Sequence, residues 1–530
     1  MNFCTLEFVI FVLLVAMVYF IVKPSKRWIV LLVGSLVFFA LSGWKYLLYA
    51  FLLSTIFFGT ANWIDKNNFK QSLLDEVQDK GEKNLLHQKS RRILFTMIIL
   101  VVGNLVFNKY WNLFGELIGA IQILLKSGGG YKCSVEWMLP LGLSYYTFSG
   151  MGYVLDVYWK RYPSEKNFAK FILYIIYFPH IIQGPIERYH KLQNQFFDSS
   201  RIKFDSGRMA QAGVRITWGY FKKLFIADRI AGLVNAVIIA QPQEVSGSLQ
   251  FLAIVLSGVW LYADFSGYMD IAGGVSNIFG IEINQNFNHP LSARSVPEWW
   301  RRWHMSLSSW WKDYIYMPLA VSGKFIRRCA KIKEKYGKRA GNLFKDVVLL
   351  FLIWVTTGLW HGTGMTYLAW GIYFAFLFTL SVTFSPWNKK VVQKLHINTD
   401  GRTWKIFQKV RTYLLFCGGR LLTVPGSLEY SARIVKNMVV NFNASDLINA
   451  DEYVSLGIYP GDIGFVAAGL FILLLVDNIE EKNKENICYW IFSRNWFIRS
   501  VIYASIIVAI FLFGIYGEEY SLSGFAYQNF

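Results

Sequence analysis

The chain is predicted to be an all-α, polytopic membrane protein, with about 11 spanning helices (roughly 9–13) and additional re-entrant or interfacial helices. Three observations carry this prediction. Hydrophobic residues make up 54% of the 530 residues and charged residues only 17%, against about 25% charged in an ordinary globular domain. Apolar runs near the length of a bilayer span recur along the whole chain. The basic residues sit mainly in the short polar stretches between those runs, as they do on the cytoplasmic side of membrane proteins.

The runs, in order, are Thr5 to Val22, Trp28 to Ser42, Tyr46 to Trp63, Ile93 to Phe107, Trp137 to Trp159, Phe168 to Ile182, Leu249 to Ala263, Leu343 to Trp360, Tyr367 to Phe384, Ile463 to Val476 and Val501 to Ile515. Some are short or interrupted by glycine, which suits tilted or re-entrant segments lining a protein cavity. Lys23, Lys26 and Arg27 follow the first run, so that run reads as a retained anchor with its N-terminus outside the cytoplasm, not as a cleaved signal peptide. A hairpin turn is expected at Gly43–Trp44. Trp111 to Leu125 either spans or lies in the interface, and Ser127 to Gly130 is a flexible break. Arg208 to Ile239 reads as one helix carrying Lys222, Lys223, Asp228 and Arg229, charges that must pair, snorkel or face a cavity. Ile281 to Pro297 reads as a loop, and Glu298 to Pro318 as a tryptophan-rich amphipathic helix. From Trp387 to Asp462 hydrophobicity falls, and Leu414 to Val424 is too short to cross unaided. No long repeat or soluble segment interrupts the chain, so residues 1–530 read as one domain, with a motif-bearing core at about 139–371 and helices of 387–530 behind it.

The net charge of +20 does not imply nucleic acid. The richest basic stretch, Lys324 to Lys345, lies between apolar runs and so marks a cytoplasmic loop. The five cysteines, Cys4, Cys133, Cys329, Cys417 and Cys488, form no CxxC pair. Neither a zinc site nor a disulfide framework is indicated.

Of seven histidines, His304 and His361 stand in tryptophan-rich strings, WWRRWHMSLSSWWKDYIYMPL (Trp299 to Leu319) and GLWHGTGMTYLAWG (Gly358 to Gly371). Burial favours the neutral imidazole, which is the form a general base needs. Small residues around His361, including Gly358, Gly362, Thr363 and Gly364, allow close approach of backbone or ligand; simple helix packing explains them equally well. The separation of the two histidines matches no local metal-ligand spacing, so no metal is expected there. ADFSGYMDIAGG (Ala263 to Gly274) sets Asp264, Ser266 and Tyr268 near a helix end, with Asp264 and Tyr268 on one face; a helix cap and a conduit lining are equally good readings. YFPHIIQGPIERYH (Tyr177 to His190) should break its helix at Pro179 and Gly184–Pro185, leaving Gln183, Glu187 and Arg188 in or near a cavity. A Glu187–Arg188 pair is more often structural than catalytic.

These strings, with LPLGLSYYTFSGMGYVLDVY (Leu139 to Tyr158), YFKKLFIADRIA (Tyr220 to Ala231) and NFNHPLSARSVPEWWRRWHMSLSSWWKDYIYMPL (Asn286 to Leu319), resemble the membrane-bound O-acyltransferase family, in particular its bacterial branch that includes the membrane subunit of alginate O-acetyltransferase. The resemblance implies spanning helices packed around a central conduit. It implies that His361 is the key catalytic histidine and His304 the second; the residues themselves suggest His361 as the catalytic base, with Asp264, Ser266, Tyr268, Glu187, Arg188, Trp303, Ser306, Trp360 and Thr363 as substrate- or conduit-lining candidates. It further implies acetyl-CoA or another acyl thioester as donor substrate with no bound cofactor, a bacterial cytoplasmic membrane, and an acceptor outside: a cell-surface polysaccharide, a cell-wall polymer or an esterase-like partner protein. The chain departs from the alginate type at MPLAVSGKF (Met317 to Phe325), after Trp387, and in its tail FAYQNF. Two other readings compete: transfer of D-alanine from a carrier-protein thioester to teichoic acid and, in another class, passage of a solute through a transporter or channel, for which no inverted repeat is visible.

The orientation is testable. A fluorescent-protein fusion after Tyr336 should fluoresce and an alkaline phosphatase fusion at the same point should be inactive; the reverse pattern would overturn the topology.

Overall fold

The computed structural model describes residues 3–75, 79–124, 142–198, 204–240 and 245–516. The break expected at Ser127 to Gly130, residues 137–141 of the fifth apolar run, Cys133 and the tail FAYQNF lie outside them. Helices dominate, and among the described residues the β-type pairing consists of the isolated bridge between Phe287 and Trp303.

Eight helices among the described residues are long and apolar enough to cross a bilayer: Pro24–Ser42, Trp44–Leu73, Lys80–Trp111, Gly247–Ile278, Lys338–His361, Met365–Lys394, Pro460–Asn483 and Trp496–Phe513. Each coincides with an expected run. The other three runs yield shorter helices: Leu6–Ile21, Leu143–Tyr158 and Phe168–Ile176. Large apolar side chains such as Leu13, Leu41, Leu48, Ile99, Phe471 and Phe511 stand exposed on these helices. So much exposed apolar surface is unstable in water and at home in lipid, and the chain is a multi-pass, all-α membrane protein.

Two compact units make up the chain: Met1–Ala212 with Ala272–Asn284, and Gly213–Ile271 with Gln285–Phe530. In the first, Gly43 adopts φ 141° and ends Arg27–Ser42 just before Trp44–Leu73 begins, which is the expected hairpin. Lys80–Leu124 is continuous, so the ambiguous stretch from Trp111, as far as Leu124, prolongs the helix before it. Phe168–Ile176 stops ahead of Pro179, and non-helical backbone runs to Arg188 before Tyr189–Phe197. Buried irregular backbone of this kind survives at membrane depth only when protein encloses it; Gln183 and Glu187 are fully buried within it.

In the second unit the expected Arg208 to Ile239 helix is continuous but not uniform. A π-helical segment, Phe221–Ala227, links Ser206–Tyr220 to Asp228–Ile239. The wider turn narrows the angle between consecutive side chains, so Lys222 and Lys223 both reach helix Gly247–Ile278. That helix runs on past Ala263 to Gly274, so Asp264, Ser266 and Tyr268 are mid-helix residues and not a cap. A third correction concerns Glu298 to Pro318. Instead of one helix it forms Val296–Arg302, Met305–Trp311, a π-helical Lys312–Tyr316 and Met317–Ala320, broken where His304 takes φ 45°. The apolar period is helical on both sides of the break, so periodicity alone does not reveal it. Leu414 to Val424, finally, is the end of a longer helix, Arg402–Thr423.

Gly219 and Gly267 let two of these helices touch through their backbones: a Cβ on Gly219 would lie 2.7 Å from Gly267 O, and one on Gly267 would lie 2.9 Å from Gly219 O. Gly267→Leu is therefore expected to destabilise the protein by about 1–3 kcal/mol, read as a lowered melting temperature in detergent; an unchanged melting temperature would show that the approach is not needed.

Candidate functional site

The second unit holds both candidate histidines. His361 is the last residue of helix Lys338–His361, and the chain returns through Gly362 and Gly364 into Met365–Lys394. The two helices lie almost backbone to backbone, because a Cβ on Gly358 would stand 2.5 Å from Tyr367 O and one on Gly371 2.6 Å from Trp354 O. Small residues thus serve the packing role, and the same packing sets the His361 ring among tryptophans. Its centroid is 4.7 Å from that of Trp360 and 5.0 Å from that of Trp370, both edge-on.

His304 is held by its backbone. Asn286 accepts the Met305 N–H at its carbonyl and the Ser306 N–H at its side-chain oxygen, each at 3.0 Å. Asn288 N–H donates to Arg302 O at 2.9 Å, and Phe287 bridges Trp303. These bonds satisfy backbone groups that the break would otherwise leave unpaired. The imidazole packs edge-on against Phe265, with centroids 4.9 Å apart, and lies 6.2 Å from Trp360. Burial pulls the His304 pKa down to about 3. The ring is therefore neutral at physiological pH, able to donate from one nitrogen and accept at the other.

Both histidines line one cavity of about 490 Å³, together with Trp300, Arg301, Lys312 and Thr357. His361 and Trp300 also line a second cavity of about 230 Å³, whose wall includes Trp303, Tyr367 and Arg420. The common wall of the two cavities is thus one imidazole and one indole. An imidazole reachable from two chambers can meet one reactant in each, which is the arrangement a group transfer requires.

The other candidates divide. Trp303 lines the smaller cavity, and Trp360 lies against both imidazoles. Ser306 is buried with its N–H on Asn286, and Thr363 is half-buried beside Gly362. Asp264 and Ser266 belong to a buried ionic cluster. Lys223 Nζ lies 2.7 Å from both Asp264 and Asp228, while Lys222 Nζ lies 2.6 Å from Asp270 and donates to Ser266 at 2.9 Å. Arg215 completes it, 3.1 Å from Asp270. Three basic and three acidic groups thus balance, with Lys222, Lys223, Asp228 and Asp264 buried and Arg215 and Asp270 partly exposed. Tyr268 is fully buried on the same helix. Glu187 belongs to the first unit, where its carboxylate accepts from Asn284 Nδ2 at 2.7 Å and from the Asn284 backbone; Arg188 is the residue before Tyr189–Phe197. Neither lines the two cavities.

Sequence reasoning missed Asn286, Phe265, Trp300, Trp370 and Arg420. Asn286 stood in an asparagine-rich loop and Trp300 in a string already rich in tryptophan, where no local signal separates wall residues from packing ones.

Residues 159–330 match the model of MBOAT, the membrane-bound O-acyltransferase family. A probable alginate O-acetylase, AlgI, of Pseudomonas fluorescens is 30% identical over 329 residues, covering 61% of this chain and 59% of the relative. A peptidoglycan O-acetyltransferase of Helicobacter pylori is 28% identical over 375 residues, covering 66% and 62%. A teichoic acid D-alanyltransferase of Bacillus subtilis is 30% identical over 253 residues, covering 47% and 60%. The chain thus spans less than two thirds of the length of each.

Lys223→Met would leave Asp228 and Asp264 buried without their shared cation. The expected loss of stability is about 3–5 kcal/mol, seen as a collapse of monodisperse protein in detergent, whereas Lys331→Met on the exposed basic helix should stay within about 0.5 kcal/mol. Equal behaviour of the two variants would refute the structural weight given to the cluster.

Proposed function

We propose that the chain, whose residues 159–330 match the membrane-bound O-acyltransferase family, moves an acyl group, acetyl in the first instance, from a cytoplasmic thioester donor such as acetyl-CoA to a hydroxyl outside the cytoplasm. The acceptor is a cell-surface polysaccharide, a cell-wall polymer or an esterase-like partner protein that passes the group on. The protein sits in a bacterial cytoplasmic membrane with its N-terminus outside, a reading supported by Lys23, Lys26 and Arg27 behind the first helix. The observation that carries the proposal is the position of His361: it shares one cavity with His304 and forms part of the wall of a second.

The chemistry needs little apparatus. A thioester carbonyl is already reactive, so catalysis rests on holding donor and acceptor together and removing one proton. The His361 imidazole takes the hydroxyl proton as the oxygen attacks the carbonyl carbon. The C–S bond then breaks, and the same imidazolium returns the proton to the leaving thiolate. His304, neutral by burial, donates a hydrogen bond to the developing oxyanion or orients the acceptor. Arg301 and Lys312 in the larger wall offer charge to an anionic donor. The resemblance to teichoic acid D-alanyltransferase supports a second reading, D-alanyl transfer from a carrier-protein thioester on the same two histidines.

His361→Ala should lower transfer from labelled acetyl-CoA in membranes at least about 100-fold, the lower range of general-base contributions, with membrane abundance and melting temperature unchanged. Transfer at the unmodified rate would overturn the assignment. Mass spectrometry of envelope polymers with and without the gene separates the two donors: loss of acetyl esters supports the first reading and loss of D-alanyl esters the second.

A further inference from the structure

We propose that His289, Asp477 and Glu480 form a binding site for one divalent transition-metal ion, zinc or manganese in class, which fastens the segment ahead of His304 to helix Pro460–Asn483. His289 Nδ1 lies 3.6 Å from Asp477 Oδ1 and 3.4 Å from Glu480 Oε2. One ligand atom from each residue falls within a 4.8 Å group. These separations are longer than N–H···O hydrogen bonds, which cluster at about 2.7–3.2 Å. They match the edges of a coordination shell, where ligands about 2.0–2.2 Å from a metal stand roughly 3–3.5 Å from one another.

Charge points the same way. Asp477 is 6% exposed and the Glu480 side chain 12%. Tyr262 donates to Asp477 at 3.1–3.2 Å, and Ile487 N–H donates to the Glu480 oxygen remote from His289. Among the described residues, His289 is the basic side chain in ion-pairing range of either carboxylate. Arg302 and Lys409 engage Glu481 instead. Two ionised carboxylates in a poorly hydrated place call for positive charge close by. A divalent cation cancels both. His289 Nδ1 is itself shielded from solvent and faces both carboxylates, where it could ligate a metal. One imidazole nitrogen with two carboxylate oxygens suits zinc or manganese, whereas calcium and magnesium favour oxygen alone.

The site also has something to hold. Asp477 and Glu480, three residues apart, share one face of their helix. His289 directly follows Asn288, whose N–H bonds Arg302 O, and Phe287 is bridged to Trp303. The ion would therefore secure the short pairing that sets the backbone of His304.

The test uses the full-length protein, purified in detergent without a histidine tag, stripped with chelator and then titrated with Zn2+ alone and Mn2+ alone. The expected result is about one ion per chain by elemental analysis, a raised melting temperature, and affinity lowered at least about 100-fold in both His289→Ala and Glu480→Gln, since even outer-shell changes cost 10–100-fold. His361→Ala should keep the ion, which separates this site from the catalytic proposal. Absence of stoichiometric binding by the unmodified protein overturns the site, whatever the variants do. Undiminished binding by His289→Ala overturns it equally, and leaves an imidazolium–carboxylate ion pair.

Discussion

The pairing of Lys222 and Lys223 with Asp264, Asp270 and Asp228 is the constraint around which the second unit is organised. A lysine removed from water must meet a carboxylate at close range or lose its proton. Here two consecutive lysines both find partners because a π-helical turn re-aims them and because Gly219 and Gly267 let the helices approach. Asp264, one of the acids they meet, directly precedes Phe265, whose ring packs the His304 imidazole. The ionic cluster thus lies one residue from the packing of His304, without either lysine lining the cavities.

A second principle runs through the site: backbone irregularity is placed where protein satisfies it. The chain breaks at His304, and Asn286 and Asn288 supply the missing hydrogen bonds. It turns at Gly362 and Gly364, directly after His361. In both places a histidine marks the end or the start of a helix, so its ring is fixed by backbone geometry and not by a long flexible stem. Tryptophans then fill the space around the rings and reduce their freedom further.

Much of the architecture was legible in the sequence, because bilayer thickness imposes a length on apolar runs that few other constraints mimic. Eight runs became long helices, and the turn at Gly43 and the break after Ile176 fell where glycine and proline demanded them. What was not legible has physical reasons. The break at His304 leaves the apolar period intact on both sides. A cap was one of two equal readings for Asp264, because Gly267, Gly273 and Gly274 resemble a helix end, whereas the helix runs on to Ile278 and Gly267 serves close packing within it. His361 and His304 were picked out by their neighbours in sequence. Their shared cavity depends on contacts among residues far apart in the chain, as does the group of His289, Asp477 and Glu480.

The wall common to the two chambers has an electrical consequence. Each elementary charge that leaks across a membrane releases about 2.3 kcal/mol per 100 mV, so a continuous column of water would short-circuit the cell. With Trp300 and His361 standing between one chamber and the next, the transfer proposed above would need no open bore. Cargo would then move by exchange of a bond, and the insulation of the bilayer would survive the traffic.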